Sequence, residues 1–226
     1  MDLQGKIIFA HKGFLNEESK KIYRENSFEA CKVSSASESI CGIELDIRKS
    51  KDGIIYCYHG TLLQYCITLK FPRDFIVLKE KYKLDKLKDI LNVVPGNKSL
   101  FLDIKDTAIT REDILNAVAG KKFKEVIVGN KSVCFLNRFH DMPGEFVKCI
   151  NGNIFSAFYN LKKLKENNYK YFEMVVPFLV TKKLIQRVEN SGLEFIGIPA
   201  VVYLREKSYW KNINKYNIKY IISDFI

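Results

Sequence analysis

Residues 42–60 read GIELDIRKSKDGIIYCYHG, and their alternation of apolar and charged positions decides the fold. Side chains at i and i+2 on a strand share a face, so Ile43, Leu45 and Ile47 point one way while Glu44 and Asp46 point the other. That charged face has two readings: water on one side of a half-exposed strand, or the inner face of a closed sheet. Lys51, Asp52 and Gly53 then form a tight turn of the Asp-Gly kind, and folding back about it brings His59 opposite Asp46 to within one residue.

Working outward, the same pattern returns at LFLDIK (100–105), where Asp103 and Lys105 share a face opposite Leu102 and Ile104. Further short apolar runs stand at 6–10, 125–129, 153–158 (NIFSAF), 172–178, 194–201 and 219–223, with segments of helical period between them. This order predicts parallel strands joined by crossover helices. The expectation is an α/β fold, a (β/α)8 TIM-type barrel with a β-hairpin inserted after the second strand, forming a single domain over residues 1–226. An open doubly wound sheet competes, but the G-x-G-x-x-G turn it often carries is missing.

Helix punctuation agrees with crossovers in several places. Asn26 is positioned to cap a helix with Glu29 three residues on. Thr110 and Asp113 do the same ahead of Ile114, Leu115 and Val118, with Gly120 as terminator. A helix opens at Thr181, buries Leu184, Ile185 and Val188, and stops near Gly192, while a stripe of Leu84, Leu87, Ile90, Leu91 and Val94 ends at Pro95. The segment 130–150 is the least legible; SVCFLNRF within it is compatible with a strand.

With 226 residues, 47% of them apolar, the chain can bury a large core. The formal charge of +11 comes from lysines scattered along the chain, without a compact basic block or an RNA-binding or zinc-finger signature, so no nucleic-acid partner is expected. An anionic substrate would be attracted. Cys31, Cys41, Cys57, Cys66, Cys134 and Cys149 show no C-x-x-C spacing and read as reduced and structural. No uncharged apolar run approaches about 18 residues, and no signal-peptide order is present. The expected setting is soluble and cytoplasmic, with no transmembrane segment; the oligomeric state is not legible.

Two strands of one closed sheet with charged inner faces require partners for those charges, because an unpaired buried ion costs several kcal/mol or more. Glu44, Asp46 and Asp103 would repel one another without a cation among them, and an all-oxygen set suits Mg2+ or Ca2+. His59 lies beside them, and His11 ends the first strand, next to the second in a barrel. Each histidine alone also reads as a hydrogen-bonded structural residue. Together, two imidazoles can take a proton on one side of a phosphorus and deliver one on the other, with Lys12 and Lys105 holding non-bridging oxygens as point charges. That equipment suits cleavage of a small anionic phosphodiester.

AHKG (10–13), REN with SFEA (24–30), the 42–60 stretch, LDKLKDIL (84–91) and LFLDIK follow in an order and spacing that resembles the glycerophosphodiester phosphodiesterases, and KYIISDF (219–225) is similar to their closing T-D-x-P strand. The resemblance implies a phospholipase-C-like barrel that releases an alcohol and sn-glycerol 3-phosphate, with His11 and His59 as the acid–base pair. It further implies that Glu44, Asp46 and Asp103 hold the metal, that Lys12 and Lys105 contact phosphate, and that Glu25 and Asn26 fix the loop after the first strand behind them. Lys12 replaces the usual arginine, Gly60 an aspartate, Asp103 a glutamate, and FIGIPAV (195–201) a tryptophan-containing strand. Those departures leave two rival readings: the same chemistry on a phospholipid or a sugar- or polymer-linked diester, or a catalytically decayed barrel that binds an anionic partner. His140 matches no family motif; Trp210 and the tyrosines read as core and interface residues.

Overall fold

The computed structural model describes residues 5–60, 73–152, 160–176, 180–199 and 213–224. Its strands are β1 (Ile7–Ala10), β2 (Gly42–Lys49), β3 (Ile55–Cys57), β4 (Asp85–Lys86), β5 (Ser99–Ile104), β6 (Glu125–Asn130), β7 (Phe146–Asn151), β8 (Tyr169–Val176), β9 (Glu194–Pro199) and β10 (Tyr220–Ser223). Eight of them form a closed parallel ring in the order β1, β2, β5, β6, β7, β8, β9, β10 and back to β1. This is the (β/α)8 barrel that the alternation predicts. β3 and β4 lie outside the ring, each antiparallel to its neighbour.

The hairpin exists because β1 pairs with β2 only at Phe9↔Gly42 and Ala10↔Ile43. The later edge of β2 is therefore open to β3, which pairs Ile47↔Cys57, Arg48↔Tyr56 and Lys49↔Ile55. Gly53 supplies the turn's positive φ of 82°. The Tyr58 amide donates to the Asp46 carbonyl at 2.9 Å, so His59 falls one residue past the position opposite Asp46, within the expected margin.

Alternation sorts the core into two layers. Phe9, Phe101, Ile127, Cys149, Tyr171, Ile196, Tyr220 and Ile222 fill the barrel, with the Phe9 and Phe101 rings edge-on at 6.4 Å. Ile43, Leu45, Ile47, Leu100, Leu102, Val126, Val128 and Ile150 face outward under the helices. Those helices are α1 (Glu17–Ile22), α2 (Phe28–Ala36), α3 (Phe75–Tyr82), α4 (Leu87–Leu91), α5 (Arg111–Val118), α6 (Val133–Leu136), α7 (Leu161–Glu166) and α8 (Lys182–Asn190). Thr110 and Asp113 form the reciprocal capping box ahead of α5, and Thr181 caps α8 through the Leu184 amide, both as the sequence predicts.

Two expectations need correction, and one ambiguous segment is settled. The cap of α2 is Ser27, which accepts from the Ala30 amide; Asn26 instead adopts a left-handed φ of 56° and turns its amide to Asp46. The stripe from Leu84 to Val94 is helical only at 87–91, because Asp85 and Lys86 pair with β3 and Lys83 breaks the chain with a φ of 54°. SVCFLNRF is not a strand: Ser132 caps α6 and a 3-10 turn follows at Asn137–Phe139. The ring strand of that region is β7, FVKCIN, whose Lys148 hides the apolar pattern although it is buried, its ammonium 4.5 Å from the Tyr169 ring centroid. NIFSAF (153–158), Cys66 and Trp210 lie outside the described residues. The other five cysteines are free thiols, and among the described residues no helix is long and apolar enough to cross a membrane.

Candidate active site

The C-terminal ends of the ring strands carry a charged layer over the aromatic interior. Glu44 and Asp46 rise from β2 and Asp103 from β5, with Asp46 and Asp103 in direct register. All three are buried, and a carboxylate oxygen of each lies within 4.8 Å of the others. Lys105 continues β5, with Nζ 2.9 Å from Asp46 Oδ1 and in contact with Asp103.

Electrostatics follow from this crowding. Burial, and then the charges of Asp46 and Asp103, push the Glu44 carboxyl well above the usual range. Burial also acts on Asp46, but Lys105, Lys12, His59 and the Asn26 hydrogen bond outweigh it and hold that carboxyl below the usual range. Lys105 loses hydration by burial, yet Asp103 and Asp46 keep it protonated above its ordinary range. Three buried carboxylates beside this ammonium form a hard, oxygen-only donor set, which fits a divalent cation such as Mg2+ or Ca2+.

The loop after β1 wraps this cluster. Lys12 takes a left-handed φ of 53°, which aims its amide at Glu44 Oε2, 2.7 Å away. Its ammonium pairs with Glu25 Oε2 at 2.9 Å. Asn26 is fully buried; its amide side chain donates to Asp46 Oδ2 at 3.0 Å and accepts from the Asp46 amide at 2.9 Å, and its own backbone amide donates to the Lys12 carbonyl. Glu25 thus holds the Lys12 side chain, and Asn26 ties the Lys12 backbone to Asp46.

His11 directly follows β1 and is buried, its Nδ1 2.8 Å from Asp224 Oδ1. With Nδ1 donating to that carboxylate, Nε2 is the nitrogen available for proton exchange. Lys20 Nζ lies 2.6 Å from the other Asp224 oxygen. Burial raises Asp224, but the bonds and charges of His11 and Lys20 prevail and depress its pKa. His59 stands at the exposed edge of the same mouth, within electrostatic reach of Asp46, Lys12, Lys105 and Glu25. Partial burial lowers its pKa; Asp46 opposes, and the two lysines reinforce. Its backbone is pinned by Arg48, whose Nε donates to the Tyr58 carbonyl at 3.0 Å and Nη2 to the His59 carbonyl at 2.9 Å.

All nine residues singled out from sequence therefore meet at one end of the barrel. His140 is exposed and paired with Asp141 at 2.8 Å. Asp224, Lys20, Arg48 and a buried Glu173 on β8 join the mouth without having been singled out from sequence; burial and then Asp103 push the Glu173 pKa up to about 8. Glu173 interrupts the apolar run YFEMVV just as Glu44 interrupts GIELDI, so the same alternation could have found it. Asp224 lies in the KYIISDF segment, whose aspartate carries no signal of its partner 213 positions away.

No protein-family model and no curated protein sequence matches the chain. Several solved structures share its fold. An Oleispira antarctica phosphodiesterase, determined in complex with the product sn-glycerol-3-phosphate, is 13% identical, with a TM-score of 0.74 over 97% of this chain and 93% of that one. A glycerophosphodiester phosphodiesterase from Thermotoga maritima is 18% identical, with a TM-score of 0.70 over 97% and 94%. The corresponding enzyme from Agrobacterium tumefaciens is 16% identical, with a TM-score of 0.70 over 97% of each chain. At such identities the likeness establishes a common architecture over nearly the whole length.

Proposed function

We propose that the chain is a glycerophosphodiester phosphodiesterase, dependent on Mg2+ or Ca2+, that yields an alcohol and sn-glycerol 3-phosphate. One observation carries this reading: three buried carboxylates on neighbouring strands converge at the same barrel mouth as two histidines. The family resemblance of the motifs and the product bound by the Oleispira protein support it.

Glu44, Asp46 and Asp103 would hold the ion, which when bound supplies positive charge to offset that building on phosphorus-bound oxygens. Lys105, tied between Asp46 and Asp103, and Lys12, tied to Glu25, each keep ammonium protons for the non-bridging oxygens. His11, with Asp224 fixing its tautomer, accepts the proton of the attacking oxygen at Nε2. That oxygen belongs to a water or to the substrate's neighbouring hydroxyl. As it bonds to phosphorus the opposite P–O bond breaks, and His59 delivers a proton to the departing alkoxide. Arg48 fixes the backbone that carries this second imidazole. The cysteine spacing supports a cytoplasmic setting.

His11→Ala and His59→Ala should each lower turnover of glycerophosphocholine at saturating Mg2+ or Ca2+ by roughly 100-fold or more, read by a coupled glycerol 3-phosphate assay. Unchanged rates in both variants would remove the proposal. A second reading keeps the chemistry and changes the diester; FIGIP at 195–199, without the family's tryptophan, favours it. Turnover of another diester without release of glycerol 3-phosphate would select that version.

A further inference from the structure

In an eight-strand ring β7 stands four places from β1, and β8 four places from β2. The mouth therefore has a wall facing both His11 and the Glu44–Asp46 pair, and on it Asn151 and Glu173 stand in direct register. Asn151 lies on the inward side: a side chain at Gly129, which follows Val128 on β6, would meet its Oδ1 at 3.1 Å and the interior Phe101 ring at 2.7 Å. Glu173 shares the inward face of β8 with Tyr171 of the barrel interior, and its charge is felt by Asp103, Lys105 and Asp46. Asn151 is 6% exposed and Glu173 8%.

Among the described residues neither side chain has a hydrogen-bond or ion-pair partner, and Asn151 Oδ1 is a fully buried acceptor left unsatisfied. Buried polar groups are rarely left so, because each orphan is destabilising unless something binds to it. Glu173 is not part of the three-carboxylate group, so the ion does not account for it. An unsatisfied amide oxygen beside a carboxyl that has no protein partner among the described residues and is crowded by other carboxylates calls for a neutral ligand rich in O–H groups. A second anionic group on that side would meet Glu173 and Asp103 and be repelled.

We infer that Asn151 and Glu173 form a subsite that binds the hydroxyl-bearing arm of the substrate, on the wall opposite His11. This rests on the phosphodiesterase reading and assigns to these two residues the selection of a polyol over a plain alkyl ester. The test is calorimetric binding of sn-glycerol 3-phosphate, propyl phosphate and phosphocholine to the full chain with Mg2+ or Ca2+ in excess. The unsubstituted protein should bind glycerol 3-phosphate at least about tenfold tighter than propyl phosphate. Glu173→Met and Asn151→Ala should bring that ratio towards one, and Glu173→Gln, which keeps hydrogen bonding, should retain most of it.

Equal affinity for the two esters in the unsubstituted protein, no binding of either, or a ratio unmoved by Glu173→Met and Asn151→Ala overturns the inference. So does a preference for phosphocholine that Glu173→Gln abolishes, since this would put a cationic group in the site. If Glu173→Met does not fold, Asn151→Ala decides alone. A protein that keeps the preference but cleaves no diester leaves the subsite standing and sinks the enzymatic reading.

Discussion

Asp224 receives His11 on one oxygen and Lys20 on the other, deep at the mouth. Its pKa is depressed in the folded chain, so it is the unfolded chain that takes up a proton first as pH falls. Its contribution to stability is therefore complete above the ordinary aspartate range near 4 and disappears as pH drops through the depressed folded value. Asp224→Asn should flatten the acid side of the stability curve in denaturant titrations at pH 2–5 and lower turnover by about 100-fold or more, since the wrong His11 tautomer would be favoured. A variant with an unchanged acid limb would show that the pairing carries no net energy. At this scale the sequence was informative where charges recurred on one face of an apolar strand, as at Glu44, Asp46 and Asp103, and less so where a single charge stood in the run, as at Glu173 and Lys148. It was silent where a residue's meaning came from one contact across the fold, as with Asp224, or from backbone carbonyls, as with Arg48.

Among the elements, legibility followed capping chemistry. Thr110 and Asp113 could be read because the box is reciprocal and local: the Thr110 amide donates to Asp113 Oδ2 at 2.8 Å, and the Asp113 amide to Thr110 Oγ1 at 3.2 Å. Thr110→Ala should destabilise the protein by about 1 kcal/mol, measured as a shift in urea midpoint without change in slope. The same rule misled at Asn26, because Ser27 beside it offers an equally good cap while Asp46 competes for the asparagine. β7 escaped notice for a different reason. A buried lysine stacked on a tyrosine looks, in a one-dimensional pattern, like a solvated position.

For the molecule as a whole, the mouth is a region where stability and the proposed ion binding would oppose each other. Glu44 is 3% exposed and faces two further carboxylates, and its pKa is raised by that burial first and by their repulsion second. An ion bound only by the folded chain adds about 2.7 kcal/mol at 100 times its dissociation constant. Thermal unfolding should accordingly shift upward when Mg2+ or Ca2+ is titrated in. Glu44→Gln should raise the midpoint of the ion-free protein and abolish that upward shift. A midpoint that responds to the ions equally in both proteins would mean that they bind elsewhere. The closed ring was the most legible feature of all, since seven of its eight strands coincide with apolar runs visible in the sequence and only β7 does not.

The bond between His11 and Asp224 joins the first strand's end to the last strand's end. Glu44, Asp46 and Asp103 all precede β6, whereas the carboxylate bonded to the imidazole follows β10. On the proposed reading, a fragment lacking β10 would keep the three carboxylates that would hold an ion and lose the partner that orients the base, so hydrolytic power would be gained only when β10 closes the ring.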